Sequence, residues 1–147
     1  MSSRLPQRSV AIILLAGAAY VVFGAGTVPL AEMLFPSAGA KVWRLAAWLL
    51  SLVVFGVHLS IERNRPAARW TVALRVALGV AVGAFAVAAL GPMRAHWGEP
   101  ARAKLAALSL VAWPLVTGVP AFCVARIADY LLDRMTAGAR SAPSRAA

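Results

Sequence analysis

Residues 104–134 read KLAALSLVAWPLVTGVPAFCVARIADYLLDR, and this stretch decides the fold. From Leu105 to Ala125 it holds 21 consecutive uncharged residues, which at about 1.5 Å per residue cover the roughly 30 Å hydrocarbon core of a bilayer. It therefore reads as a transmembrane helix. Within it Pro114 and Pro120 remove backbone donors and free the carbonyls of Leu110 and Val116. With Gly118 between them they mark an expected helix kink, where Thr117 can supply a local hydrogen bond. A kink serves packing around a neighbouring helix; a broken helix at mid-membrane depth is also where freed carbonyls can hold a cation in transporters. Beyond the apolar run Arg126, Asp129 and Asp133 follow at spacings of three and four, which places them on one face.

The rest of the chain repeats the pattern. No charge appears from Ser9 to Ala31, 23 residues that read as a first span preceded by a short basic segment, 1–8. The run is too long for a signal-peptide core and lacks a good cleavage site, so it is expected to be retained. A Pro/Ser/Gly-containing loop at 32–42 leads to a second span at 43–61, with Trp43 at the headgroup level. The basic turn ERNRPAAR at 62–69 leads to a third span at 70–91, and a loop at 93–102 containing His96 and Trp97 leads to the fourth, 104–134. The tail, 135–147, is Ala/Ser/Gly-rich without periodicity and is expected to be disordered. The expected fold is thus an all-α integral membrane protein, with four transmembrane helices in an up-down bundle.

Composition agrees. The 147-residue chain is 61% hydrophobic and carries 15 Lys and Arg against 5 acids, a net charge of +10 concentrated between and outside the apolar runs. That distribution suits a bilayer with anionic headgroups as partner and leaves no soluble basic face for nucleic acid. Eight bases fall on the side of the two termini and five on the other, before Arg75 and Arg126 are assigned. Both termini are therefore expected in the cytoplasm. The Ala/Arg-rich composition suggests a bacterial inner membrane. The single cysteine, Cys123, excludes an intramolecular disulfide and reads as a small buried hydrophobe.

Two sets of residues concern helix contacts and chemistry. Gly79 and Gly83 form a GxxxG pair in the third helix, where a neighbouring backbone can approach closely. In the second helix Arg44, Trp48, Ser51, Phe55, His58 and Glu62 form one seam, expected to face the bundle. Its end, with the start of the third helix and the end of the fourth, gathers a polar cluster of His58, Glu62, Arg75, Arg126 and Asp129. The plain reading is an ion-pair lock in which Glu62 and Asp129 neutralise Arg75 and Arg126. The sharper one is an anion-holding pocket in which His58 and Glu62 relay a proton.

No nucleophile elbow, phosphate loop or zinc-protease motif is present. Ser51 and His58 lie two turns apart, about 10 Å, too far to act as nucleophile and base. His58 and His96 fall at opposite ends of the bundle, so no metal or cofactor is expected. In size and helix number the chain is similar to the small multidrug transporters and to the membrane glutathione-transferase superfamily. It lacks the acid that the former carry in the first helix and the basic motif that opens the second helix of the latter, and no family follows. The expected function is a non-catalytic structural or accessory component acting through helix packing, as a homo-oligomer or within a larger membrane complex. The alternative is a small transporter or lipid/anion-binding protein using the cluster, with an enzyme a distant third.

Overall fold

The computed structural model describes residues 7–23, 33, 40–93 and 99–141. These residues are helical apart from the connection at 64–68 and Glu99: α1 is Gln7–Val21, α2 is Ala40–Arg63, α3 is Arg69–Ala88 with a π-helical extension at Ala89–Met93, and α4 is Pro100–Ser141. Three helical stretches, Lys41–Arg63, Arg69–Gly91 and Arg102–Thr136, are long and apolar enough to cross a membrane. The described part of the first expected span is shorter. α1 has 15 residues, about 22 Å of helix, which falls short of the roughly 30 Å core. Expectations for residues 24–32, for the 34–39 and 94–98 parts of the loops with His96 and Trp97, for 1–6 and for 142–147 lie outside the described residues.

Several boundaries move, that of α4 among them, which starts at Pro100 inside the expected 93–102 loop. α2 starts at Ala40, inside the expected 32–42 loop, because Ala40, Lys41 and Val42 carry no helix breaker. α4 continues past Arg134 to Ser141, so the expected tail is helical over 135–141. The Arg134 guanidinium lies 4.7 Å from the centroid of the Tyr130 ring. The Thr136 hydroxyl donates to the carbonyls of Leu132 and Asp133 at 3.1 and 3.0 Å, local contacts that extend the helix through a stretch free of proline.

α3 is the central element. It packs most extensively against α4, then α1, then α2, whereas α1 and α2 touch each other little. Small residues allow the close approach to α1. A Cβ built on Gly83 would lie 2.7 Å from Tyr20 Cβ and 3.1 Å from the Gly17 carbonyl oxygen, and one on Gly17 would lie 2.7 Å from Val82 Cγ1. A Cβ on Gly79 would meet His58 Cε1 at 2.7 Å and Ala16 Cβ at 3.3 Å. Toward α4 the contact is made by Gly118, whose Cβ would lie 3.3 Å from Ala81 Cβ. α4 stays α-helical through Pro114, Gly118 and Pro120, with no unwound segment. The Thr117 hydroxyl bonds the Trp113 carbonyl at 2.8 Å and not the carbonyls that the prolines free.

The buried apolar cluster, Leu59, Val72, Ala73, Val76 and Ala125, joins α2, α3 and α4 near one end of the bundle. Elsewhere large apolar side chains face outward, among them Trp48, Leu52, Leu105 and Val116, all more than half exposed. An envelope of that kind suits hydrocarbon or a protein partner better than water.

Candidate functional site

The chain returns to one end of the bundle three times, and the polar side chains meet there. α2 ends at Arg63, where the Asn64 amide still bonds the Ser60 carbonyl at 3.2 Å and the Arg65 amide turns back to the Glu62 carbonyl at 3.2 Å. Pro66 follows, and Ala68 adopts extended backbone before α3 begins. This short connection sets three arginines, Arg63, Arg65 and Arg69, at the mouth of the bundle between α2 and α3.

Glu62 is fully buried. Arg75 Nη1 donates to its Oε2 at 2.9 Å, joining α2 to α3. Arg65 Nη1 donates to its Oε1 at 3.2 Å and also reaches the buried Ser9 hydroxyl of α1 at 3.2 Å. A second set of pairs ties in α4. Arg63 Nη2 donates to Asp133 Oδ1 at 3.0 Å, Arg63 Nε lies 3.4 Å from Asp129 Oδ1, and Arg69 Nη2 lies 2.6 Å from Asp133 Oδ2. Four arginines thus meet three carboxylates, and all four helices are linked at one end. Taking such charges out of water is costly, and the geometry offsets that cost because each carboxylate has a guanidinium partner.

The expected cluster is therefore only partly assembled. Glu62 and Arg75 meet directly. Asp129 takes Arg63 as its partner and not Arg126, which is exposed and makes no ion pair among the described residues. Asp129 and Asp133, one and two turns nearer the end of α4, reach the arginines of the connection, whereas Arg126 is exposed. Arg63, Arg65 and Arg69 were missed as site residues because a basic turn between spans ordinarily meets headgroups. The signal that could have found them is that three of the chain's five acids, Glu62, Asp129 and Asp133, lie near the ends of two helices beside that turn.

His58 is buried next to this network, with its ring against the Gly79 backbone. Neither ring nitrogen has a hydrogen-bond partner among the described residues. No group of three metal-ligating side chains occurs among the described residues.

The α2 seam divides in two. Its end, His58 and Glu62, is enclosed by α1 and α3, whereas Trp48, Ser51 and Phe55 line an open cleft of about 520 Å³. Across the cleft stand Trp113 and Pro120 of α4, with α3 as the floor. The expectation that the whole seam packs against neighbouring helices holds for Phe55, His58 and Glu62, whereas Arg44 and Trp48 are exposed. No protein-family model matches the chain, and neither a curated protein nor a solved structure does.

Proposed function

We propose that the chain is a multi-pass protein of a bacterial inner membrane, with four spans and both termini cytoplasmic, and that it works as a non-catalytic structural or accessory component through helix packing. The observation that carries this reading is the internal pairing of the three carboxylates at this end of the bundle. Glu62, Asp129 and Asp133 each hold arginine partners from the same chain, so the network acts as a clasp and leaves no carboxylate free to take a cation. The orientation rests on charge. With Arg75 tied to Glu62 and Arg126 on the same half of α4, ten of the 15 Lys and Arg residues fall on the clasp side, in the order of the sequence, and five on the other. By the positive-inside tendency the clasp side is cytoplasmic.

Mild-detergent extraction of the full chain tests the role: an accessory component should come out as a homo-oligomer or with a larger membrane partner. A monodisperse monomer without a partner would count against it. A second reading, the small transporter or anion-binding protein, has one observation in its favour, the buried His58 imidazole beside Glu62 with both nitrogens unpartnered. It predicts pH-dependent flux in liposomes that disappears in His58→Ala.

A further inference from the structure

The cleft between α2 and α4 is chemically distinct from the clasp. Its volume of about 520 Å³ falls in the range of roughly 300–1,000 Å³ occupied by small-molecule sites, which are mostly apolar with a few polar groups. Four aromatic rings contribute to it: Tyr20 from α1, Trp48 and Phe55 from α2 and Trp113 from α4. The floor is kept open by small residues of α3, Gly83 and Ala84.

The polar groups of the lining are the indole N–H groups of Trp48 and Trp113 and the hydroxyls of Tyr20, Ser51 and Thr117. Trp48 and Trp113 are 78% and 53% exposed, so their indoles border the opening. Neither indole N–H has a hydrogen-bond partner among the described residues. The Tyr20 hydroxyl is buried and also has no hydrogen-bond partner among the described residues. Thr117 cannot serve as an acceptor-seeking group, since its hydroxyl is already turned to the Trp113 carbonyl at 2.8 Å. Trp48 lies seven positions beyond Lys41 on α2, about 10 Å along the helix, and Trp113 lies nine beyond Lys104 on α4. Within a bilayer these donors stand below the headgroups, where water does not reach and an unmatched donor is costly.

We propose that this cleft binds a membrane-dissolved, ring-bearing carbonyl compound of the quinone class. The inference rests on the membrane reading above. The electron-rich indoles stack on the flat ring, the alkyl tail leaves through the open side into lipid, and a ring carbonyl accepts a hydrogen bond from an indole N–H. A phospholipid acyl chain fits the volume but carries its ester oxygens at the interface, above the unmatched donors. No redox step is involved; the site is a binding site.

The test uses the full chain in nanodiscs, after alkaline extraction has shown that it is integrated; failure at that step would remove the membrane reading itself and is separate from failure to bind. Trp43, Trp70 and Trp97 are replaced by Phe, so that fluorescence reports on Trp48 and Trp113 alone. The probe is a decyl-substituted benzoquinone. Saturable quenching is expected, with decylbenzene, which lacks the oxygens, about tenfold weaker as a competitor. Ala84→Phe, which fills the floor, should abolish the saturable component. The decylbenzene comparison needs no such variant and stands even if Ala84→Phe does not fold.

Quenching that only follows partitioning into the bilayer would overturn the proposal. So would relief of the quenching by decylbenzene at concentrations equal to the quinone's, or by methyl oleate at such concentrations, which would assign the cleft to acyl chains. Cross-linking between copies through Trp48→Cys in a Cys123→Ser background, unaffected by the quinone, would assign it to a second chain and likewise overturn it.

Discussion

Glu62 joins three parts of the molecule: it takes Arg75 from α3 and Arg65 from the connection, and through Arg65 it reaches Ser9 of α1. Replacing it leaves two guanidinium groups facing each other without a counter-charge. Glu62→Gln is expected to lower unfolding stability in detergent by about 3–5 kcal/mol, the cost of breaking a buried pair from one side. Arg126→Gln, at an exposed position without an ion pair, should stay within about 0.5 kcal/mol of the parent chain. Thermal unfolding of the two variants side by side checks the contrast, and comparable losses would sink the assignment of partners. The spacing of charges along α2 and α3 was enough to bring Glu62 and Arg75 together. It was not enough for Asp129, because helical periodicity says which residues share a face and leaves open what stands opposite. Arg63 belongs to the turn, where spacing carries no such information.

At the level of the helix, the same residue type does opposite things. Gly83 lies where α1 and α3 come closest, and the atoms that a Cβ would strike are Tyr20 Cβ and the Gly17 carbonyl, neither of which can swing aside. Gly83→Ala should therefore push the helices apart and cost about 1–3 kcal/mol, as overpacking does. Gly56 has nothing within 4 Å of its Cβ position. Gly56→Ala should instead gain up to about 1 kcal/mol through helix propensity. Unfolding measurements on the pair of variants decide this, and a loss at both positions would show that helix backbone effects outweigh packing. The GxxxG spacing pointed to a close contact on α3 without naming its partner. α1 supplies it through Ala16, Gly17 and Tyr20, small or flat residues whose role cannot be told from composition in a chain so rich in alanine. The extent of α4 was hidden for a related reason. Ala, Thr and Gly at 135–141 resemble a tail by composition, yet nothing in them forbids a helix until Pro143.

For the whole molecule, apolar runs long enough to span were legible from hydropathy alone, and so was the gathering of charges at one end. The empty half of the α2 seam was not, since periodicity shows that a face is special without showing whether a helix or a void lies opposite. The central place of α3 also has a bearing on how the protein is made. Glu62 and Arg75 are 13 positions apart, whereas Arg63 and Asp133 are 70 apart. In a membrane the first pair can close as soon as the α2–α3 hairpin leaves the ribosome, and the second must wait for the last helix. Biosynthesis would then neutralise its most buried carboxylate early and fasten α4 as a late, separate event. In a chain stopped after Met93, we predict that Glu62→Ala strands Arg75 and lowers the fraction of chains in which α3 inserts, and that adding Arg75→Ala restores it. Glycosylation mapping of insertion would read this directly, with equal insertion of the parent and the single variant as the outcome against it. The clasp is thus also a timetable, in which the hairpin is sealed during translation and the closing helix arrives to charges already in place.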